Sequence, residues 1–190
     1  MSYRFAVAAL GILVSSACPA PETGAPDGET TSDFTPSISA SGFFGEALAL
    51  VDPIAFQEDN NPSFLYVTAS ETRGSCDDRP RRAGDGNALI VLRQEDGFVP
   101  GLYDVCPTLD CGPAVASVVF FRNNEICDPR DPISIGTIVS GDVTVEEVDF
   151  GDGGRVRGSF DVQDQDGSRI TGSFGAPVCS QPPASTTCTN

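Results

Sequence analysis

The chain contains no histidine and no lysine; all 11 of its basic residues are arginine. The missing histidine excludes Ser-His-Asp and Cys-His nucleophilic machinery, and the missing lysine excludes a Schiff base, a Ser-Lys dyad and a Walker-type phosphate clamp. No pair of cysteines has the Cys-x2-Cys spacing of a zinc site, and there is no imidazole to complete one, so no metal is expected on these thiols. Long apolar runs are absent too. The longest, residues 5–14, reaches only about 15 Å as a helix against the ~30 Å of a bilayer core, so it is not an ordinary membrane span.

What remains is dominated by acid. Asp and Glu total 27 and the formal charge is −16, a field that repels phosphates and anionic lipid headgroups, so no nucleic acid partner is expected. One stretch is locally basic: Arg73, Arg79, Arg81 and Arg82 surround Cys76. With Glu71, Asp77, Asp78 and Asp85 among them, it reads as a self-neutralised loop in preference to an anion site.

The short apolar run has a different meaning at an N-terminus. It follows Met1-Ser2-Tyr3-Arg4, whose arginine is the only charge of the first seventeen residues, and leads into Ser15-Ser16-Ala17-Cys18. This is the layout of a secretory signal peptide over residues 1–17. Small residues running into Cys18 resemble the bacterial lipoprotein signal, in which the cysteine becomes the first mature residue and carries diacylglycerol. Ser15 stands where that family usually has an aliphatic residue, and Ser15 with Ala17 also suits ordinary signal peptidase. Cleavage before Cys18 is expected on either reading, and lipidation of Cys18, which makes the membrane a partner, is the expectation taken forward.

Cysteine parity points the same way. There are seven, Cys18, Cys76, Cys106, Cys111, Cys127, Cys179 and Cys188, and if lipid takes Cys18 the other six can form three disulfides in an oxidising compartment. Six cysteines allow 15 connectivities. Cys76 and Cys179 each follow an expected strand and are taken as partners, with Cys106, Cys111 and Cys127 tying down the central loops.

Residues 18–41 are rich in Pro, Gly, Ser, Thr and acid and read as a disordered tether behind the anchored cysteine. Residues 42–179 change to short apolar runs punctuated by Gly, Pro, Asn and Asp, one domain large enough for a core, and 180–190 read as a tail. The runs alternate with period two and none sustains helical spacing, so the domain is expected to be all-β. Strands are expected at 44–51, 63–69, 88–93, 101–105, 114–122, 135–139, 142–150, 155–162 and 168–176. Phe64-Leu65-Tyr66-Val67 and Val118-Val119-Phe120-Phe121, apolar on both faces, belong in the middle of the sheet.

A repeat at a spacing of fourteen fixes part of the geometry. Asp152-Gly153-Gly154-Arg155-Val156-Arg157-Gly158-Ser159-Phe160 recurs as Asp166-Gly167-Ser168-Arg169-Ile170-Thr171-Gly172-Ser173-Phe174. Residues opposed in an antiparallel pair share a face, so a three-residue loop, Gln165-Asp166-Gly167, must set Val162 against Ile170. That register opposes Phe160 to Gly172 and Phe174 to Gly158, each ring covering a glycine. Upstream, a loop at Gly151-Asp152-Gly153 opposes Val148 to Val156, and the parity shift between Val145 and Val148 requires a bulge at Glu146-Glu147. Strand glycines and bulges bend a sheet strongly. The expected fold is an antiparallel barrel or sandwich of eight or nine strands ending in a meander of hairpins, with the barrel favoured.

Residues 140–179, with Ser-Gly-x-Val-x-Val, twin Gly-Ser-Phe strands and a terminal Ala-Pro-Val-Cys, together with the signal and tether, resemble uncharacterised outer-membrane lipoproteins of myxobacteria and their relatives. The resemblance implies location and fold; it carries no activity and no catalytic residue to transfer.

Two further constellations are weaker. Asp161, Asp164 and Asp166 before Gly167 lack the alternation of a calcium loop, since Val162 occupies a ligand position, and Glu58-Asp59-Asn60-Asn61 is no stronger. Paired carboxylates could serve a glycan-active enzyme, but most of the acids fall in turns. No cofactor and no catalytic residue is expected. The function expected is a non-catalytic structural or interaction module of the cell envelope, meeting protein or glycan through its loops. The alternative is a barrel holding a small apolar ligand inside, which would require an enclosed cavity of about 300 Å³ or more.

Overall fold

A computed structural model describes residues 38–40, 50–58, 60–127, 134–183 and 185–189. Among them every regular element is a strand: β1 (Ile38–Ala40), β2 (Val51–Glu58), β3 (Asn61–Ser70), β4 (Arg79–Arg82), β5 (Gly86–Gln94), β6 (Gly101–Val105), β7 (Ala114–Arg122), β8 (Ser134–Val148), β9 (Arg155–Asp164), β10 (Arg169–Cys179) and β11 (Ser185–Thr189). Eight of them close into a barrel in the order β10-β2-β3-β5-β7-β6-β8-β9, with β9 pairing back to β10. β1 lies on the free edge of β10, and β4 with β11 forms a separate two-stranded sheet.

The barrel is mixed, which corrects the expectation of a purely antiparallel sheet: β2 runs parallel to β10, and β6 parallel to β7. The cause is ring parity. Without β6 the ring would have seven alternating strands, and an odd ring cannot alternate throughout, so the seam between its first and last strands must be parallel. The short β6, wedged between β7 and β8, restores an even number and thereby adds a second parallel contact.

The C-terminal hairpins take the expected register. Val162 faces Ile170, Phe160 faces Gly172 and Gly158 faces Phe174. The turn between them is closed by Gly167 N donating to Asp164 O at 3.1 Å, with Gly167 at φ 85°, the left-handed position that only glycine takes without strain. Val148 faces Val156, and the ladder skips one residue between Val145 and Glu147, so the bulge falls on Glu146. A second bulge, at Val139, joins the two strands expected at 135–139 and 142–150 into the single 15-residue β8.

Other elements differ from expectation. The first full strand is β2, which starts where the expected 44–51 strand stops; of that segment only Leu50 and Val51 are among the described residues. Pro53, which argues against a strand in sequence, sits within the register shift between Val51 and Ile54, where no ladder bond needs its nitrogen. β11 falls in the segment read as a tail, and β1 at the end of the segment read as a tether.

Inward residues alternate along the strands between the bulges, most clearly on β9, where Val156, Phe160 and Val162 are at most 3 % exposed. They meet Ile170, Phe174 and Ala176 of β10, Val143 and Val145 of β8, and Leu65, Val67, Ile90, Leu92, Val118 and Phe120 from the opposite wall. Phe120 and Phe160 touch across the interior with ring centroids 6.1 Å apart. Each such ring contributes roughly 1.5–3 kcal/mol through removal of apolar surface from water. The space left among Val67, Ile90, Phe160 and Phe174 is about 10 Å³, at the limit for one water molecule.

Candidate binding cleft

Among the described residues the barrel interior is packed with side chains, and a larger concave space lies outside it. The outward residues of β3, β5 and β7 form a floor in which Ser70, Asn87 and Phe121 make one cross-strand row and Thr68 and Leu89 begin the next. Of the segments Phe64-Leu65-Tyr66-Val67 and Val118-Val119-Phe120-Phe121, apolar on both faces, Leu65, Val67, Val118 and Phe120 enter the core, and outward Phe121 lies under a second layer. That layer is the β4/β11 sheet with Pro182 and Pro183, and between the two lies a cleft of about 310 Å³. Phe56 and Glu58 of β2 close one side. Phe56 stacks on Tyr66 at 5.1 Å, and Tyr66 lies 6.4 Å from Phe64, so a row of aromatic rings continues along the outer wall. Burial, helped by the nearby Glu58 carboxylate, pushes the Tyr66 phenol above its usual range.

Arg79 is the buried cation of the cleft, 8 % exposed, and its Nη1 donates to the Asp52 carbonyl at 3.1 Å. Burial lowers its pKa to about 10, with the Asp52 charge acting in the opposite direction. Glu71 turns to Arg122 of β7 at 3.5 Å and to the Gly86 N–H at 2.7 Å, and Asp85 accepts from the Thr72 hydroxyl. Asn123, 5 % exposed, donates from Nδ2 to Arg82 O at 3.0 Å, and Asn87 donates to Asp85 O at 2.9 Å, so both amides are oriented where they border the cleft.

Two disulfides hold the roof. Cys76 pairs with Cys179, joining the approach to β4 with the end of β10, and Cys127 pairs with Cys188, fixing β11. The residues between Cys179 and Cys188 include Pro182 and Pro183, so the roof is a strap clipped at both ends. The third pair, Cys106–Cys111, closes part of the connection that returns the chain from the end of β6 to the start of the parallel β7. Cys18 lies outside the described residues.

The aspartates before Gly167 serve the hairpin. Asp164 accepts from the backbone N–H groups of Asp166 and Ser168 at 3.0 and 2.8 Å, and Asp161 pairs with Arg169, which holds its carboxyl below the usual range. Asp59, of the other acidic loop, lies outside the described residues. Among the described residues there is no group of three or more Asp, Glu, Cys or His side chains arranged to hold a metal ion.

The cleft was not found in the sequence because its residues come from six separated segments, and none carries a motif. The one available signal was the pair of two-faced apolar strands, whose outward side chains had to be covered by something. Comparison with protein-family models, with curated proteins and with solved structures yields no match to this chain.

Proposed function

We propose that this chain is an exported, lipid-anchored protein of the cell envelope whose β-barrel is a non-catalytic binding module, engaging an envelope partner through the cleft on its outer wall. The observation that carries the reading is the pairing of six cysteines with one another, which leaves Cys18 over, at the end of an apolar leader. Three disulfides suit an oxidising compartment, and a cysteine with no partner at a signal-type junction suits lipid attachment.

Two features support binding over catalysis. The cleft has a single carboxylate, Glu58, among its described lining residues, whereas glycoside hydrolysis uses two flanking the scissile bond. The barrel interior is occupied by Phe120, Phe160, Phe174 and their neighbours, which disfavours the alternative of an apolar ligand held inside. The reading is tested by fractionating bacteria that express the chain and its Cys18→Ser variant. The parent is expected in the membrane fraction and the variant in the soluble fraction. A parent chain recovered in soluble form would remove the anchor from the account.

A further inference from the structure

Resting on the reading of the cleft as the binding surface, we infer that its ligand is a neutral saccharide, held by one or two sugar rings. The first ground is the mixture of donors and acceptors. Arg79 and Arg81 only donate, Glu58 only accepts, and Thr68, Asn87 and Asn123 can do both, all around apolar surface from Phe56, Leu89 and Phe121. A complementary ligand needs hydroxyl-like groups that donate and accept, together with an apolar face. A sugar ring has both: hydroxyls around its rim and a C–H face that packs on aromatic and proline surface.

Other ligand classes fit less well. An acyl chain would desolvate the amides, the hydroxyls and Glu58 without supplying hydrogen bonds, and each buried polar group left unmade is unfavourable by roughly 1–3 kcal/mol. A multiply charged anion such as a nucleotide would meet the Glu58 carboxylate at the rim of the cleft and a formal charge of −16 on the way in. A polycation would face Arg79, which is buried in the wall. The volume of about 310 Å³ is at the lower end of the roughly 300–1,000 Å³ of small-ligand sites, a size for a short stretch of glycan. Asn87 and Asn123 are already oriented by the backbone carbonyls of Asp85 and Arg82, so their remaining hydrogen-bonding groups are positioned before a ligand arrives.

The test uses the oxidised full chain purified from membranes and labelled for amide NMR. Cellotriose, maltotriose and tri-N-acetylchitotriose are titrated separately, with octanoate and benzoate as apolar and anionic probes. At least one trisaccharide is expected to shift the amides of Thr68, Asn87, Leu89, Phe121 and Asn123. The exposed-rim variant Glu58→Gln is expected to weaken that binding about tenfold, the value of one hydrogen bond to a charged group, and Leu89→Arg, which fills the floor, to abolish it while leaving the remaining spectrum folded. Octanoate or benzoate binding in the cleft with no response to any sugar would overturn the saccharide assignment and leave the cleft as the binding surface. Sugar-induced shifts confined to another face would overturn the assignment of the site. Silence of the cleft amides towards all five probes would overturn both readings.

Discussion

A methyl group added to Gly172 would lie 2.4 Å from Cζ of Phe160, and one added to Gly158 would lie 2.2 Å from the Thr144 carbonyl oxygen and 2.8 Å from Phe174. The rings occupy the space that a side chain would take, and Phe160 cannot withdraw because it also packs on Phe120. Gly172→Ala is expected to lower stability by about 1–3 kcal/mol in urea unfolding of the oxidised protein, and Gly158→Ala by more, since its clash is with backbone. Gly101→Ala, with nothing within 4 Å of the added carbon, should stay within about 0.5 kcal/mol of the parent. These positions were legible in advance because the fourteen-residue repeat and the face rule together allow only one register. The phenols of Tyr66 and Tyr103 supply a pH test. Burial raises both, and at Tyr103 it outweighs the opposing influence of the Val99 backbone. Folded protein then keeps these protons where the unfolded chain, titrating near pH 10, releases them. Stability should be unaffected by the two groups below about pH 9 and fall as pH rises past about 10. Phenolate absorbance of the folded protein should accordingly rise at higher pH than that of the denatured chain; coincident titrations would contradict the burial of these rings.

Strands differed in how far sequence betrayed them. β6 and β7 were readable to their end residues because Pro100, Cys106-Pro107, Gly112-Pro113 and Asn123-Asn124 punctuate the alternation at their ends. β4 was not, since Arg-Pro-Arg-Arg has neither alternation nor apolar content; it is a strand because β11 pairs with it and because Arg79 turns under the roof. The parallel seams were invisible for a different reason: they follow from strand count around a closed ring, which no local pattern records. The disulfides act at this level too. On loop-closure entropy alone, the separations of 103, 61 and 5 residues correspond to about 4.7, 4.3 and 2.1 kcal/mol for Cys76–Cys179, Cys127–Cys188 and Cys106–Cys111. Paired Cys→Ser variants should lose stability in that order. The Cys127→Ser/Cys188→Ser variant should in addition expose the 180–189 strap to limited proteolysis while the barrel stays intact. A barrel that unfolds in step with strap cleavage would show that the roof is part of the core.

At the scale of the whole molecule, three disulfides fit an oxidising compartment, and the proposed anchor at Cys18 would hold the domain near a membrane by its N-terminus. Removal of the proposed leader would take Arg4 and change the formal charge from −16 to −17, which favours solubility and disfavours adsorption on anionic lipid, so membrane attachment would have to come from a lipid on Cys18. Periodicity made the barrel legible. The cleft was hidden because it depends on a second layer assembled from residues about 100 positions apart, joined by Cys76–Cys179. The central claim, one cysteine for lipid and six for disulfides, is tested most directly by intact mass of the protein taken from bacterial membranes without reduction and after alkylation of free thiols. The account predicts a chain beginning at Cys18 that carries the mass of diacylglycerol and an acyl group, with no alkylation at Cys76, Cys106, Cys111, Cys127, Cys179 or Cys188. An unmodified Cys18, or alkylation at any of those six, would contradict it.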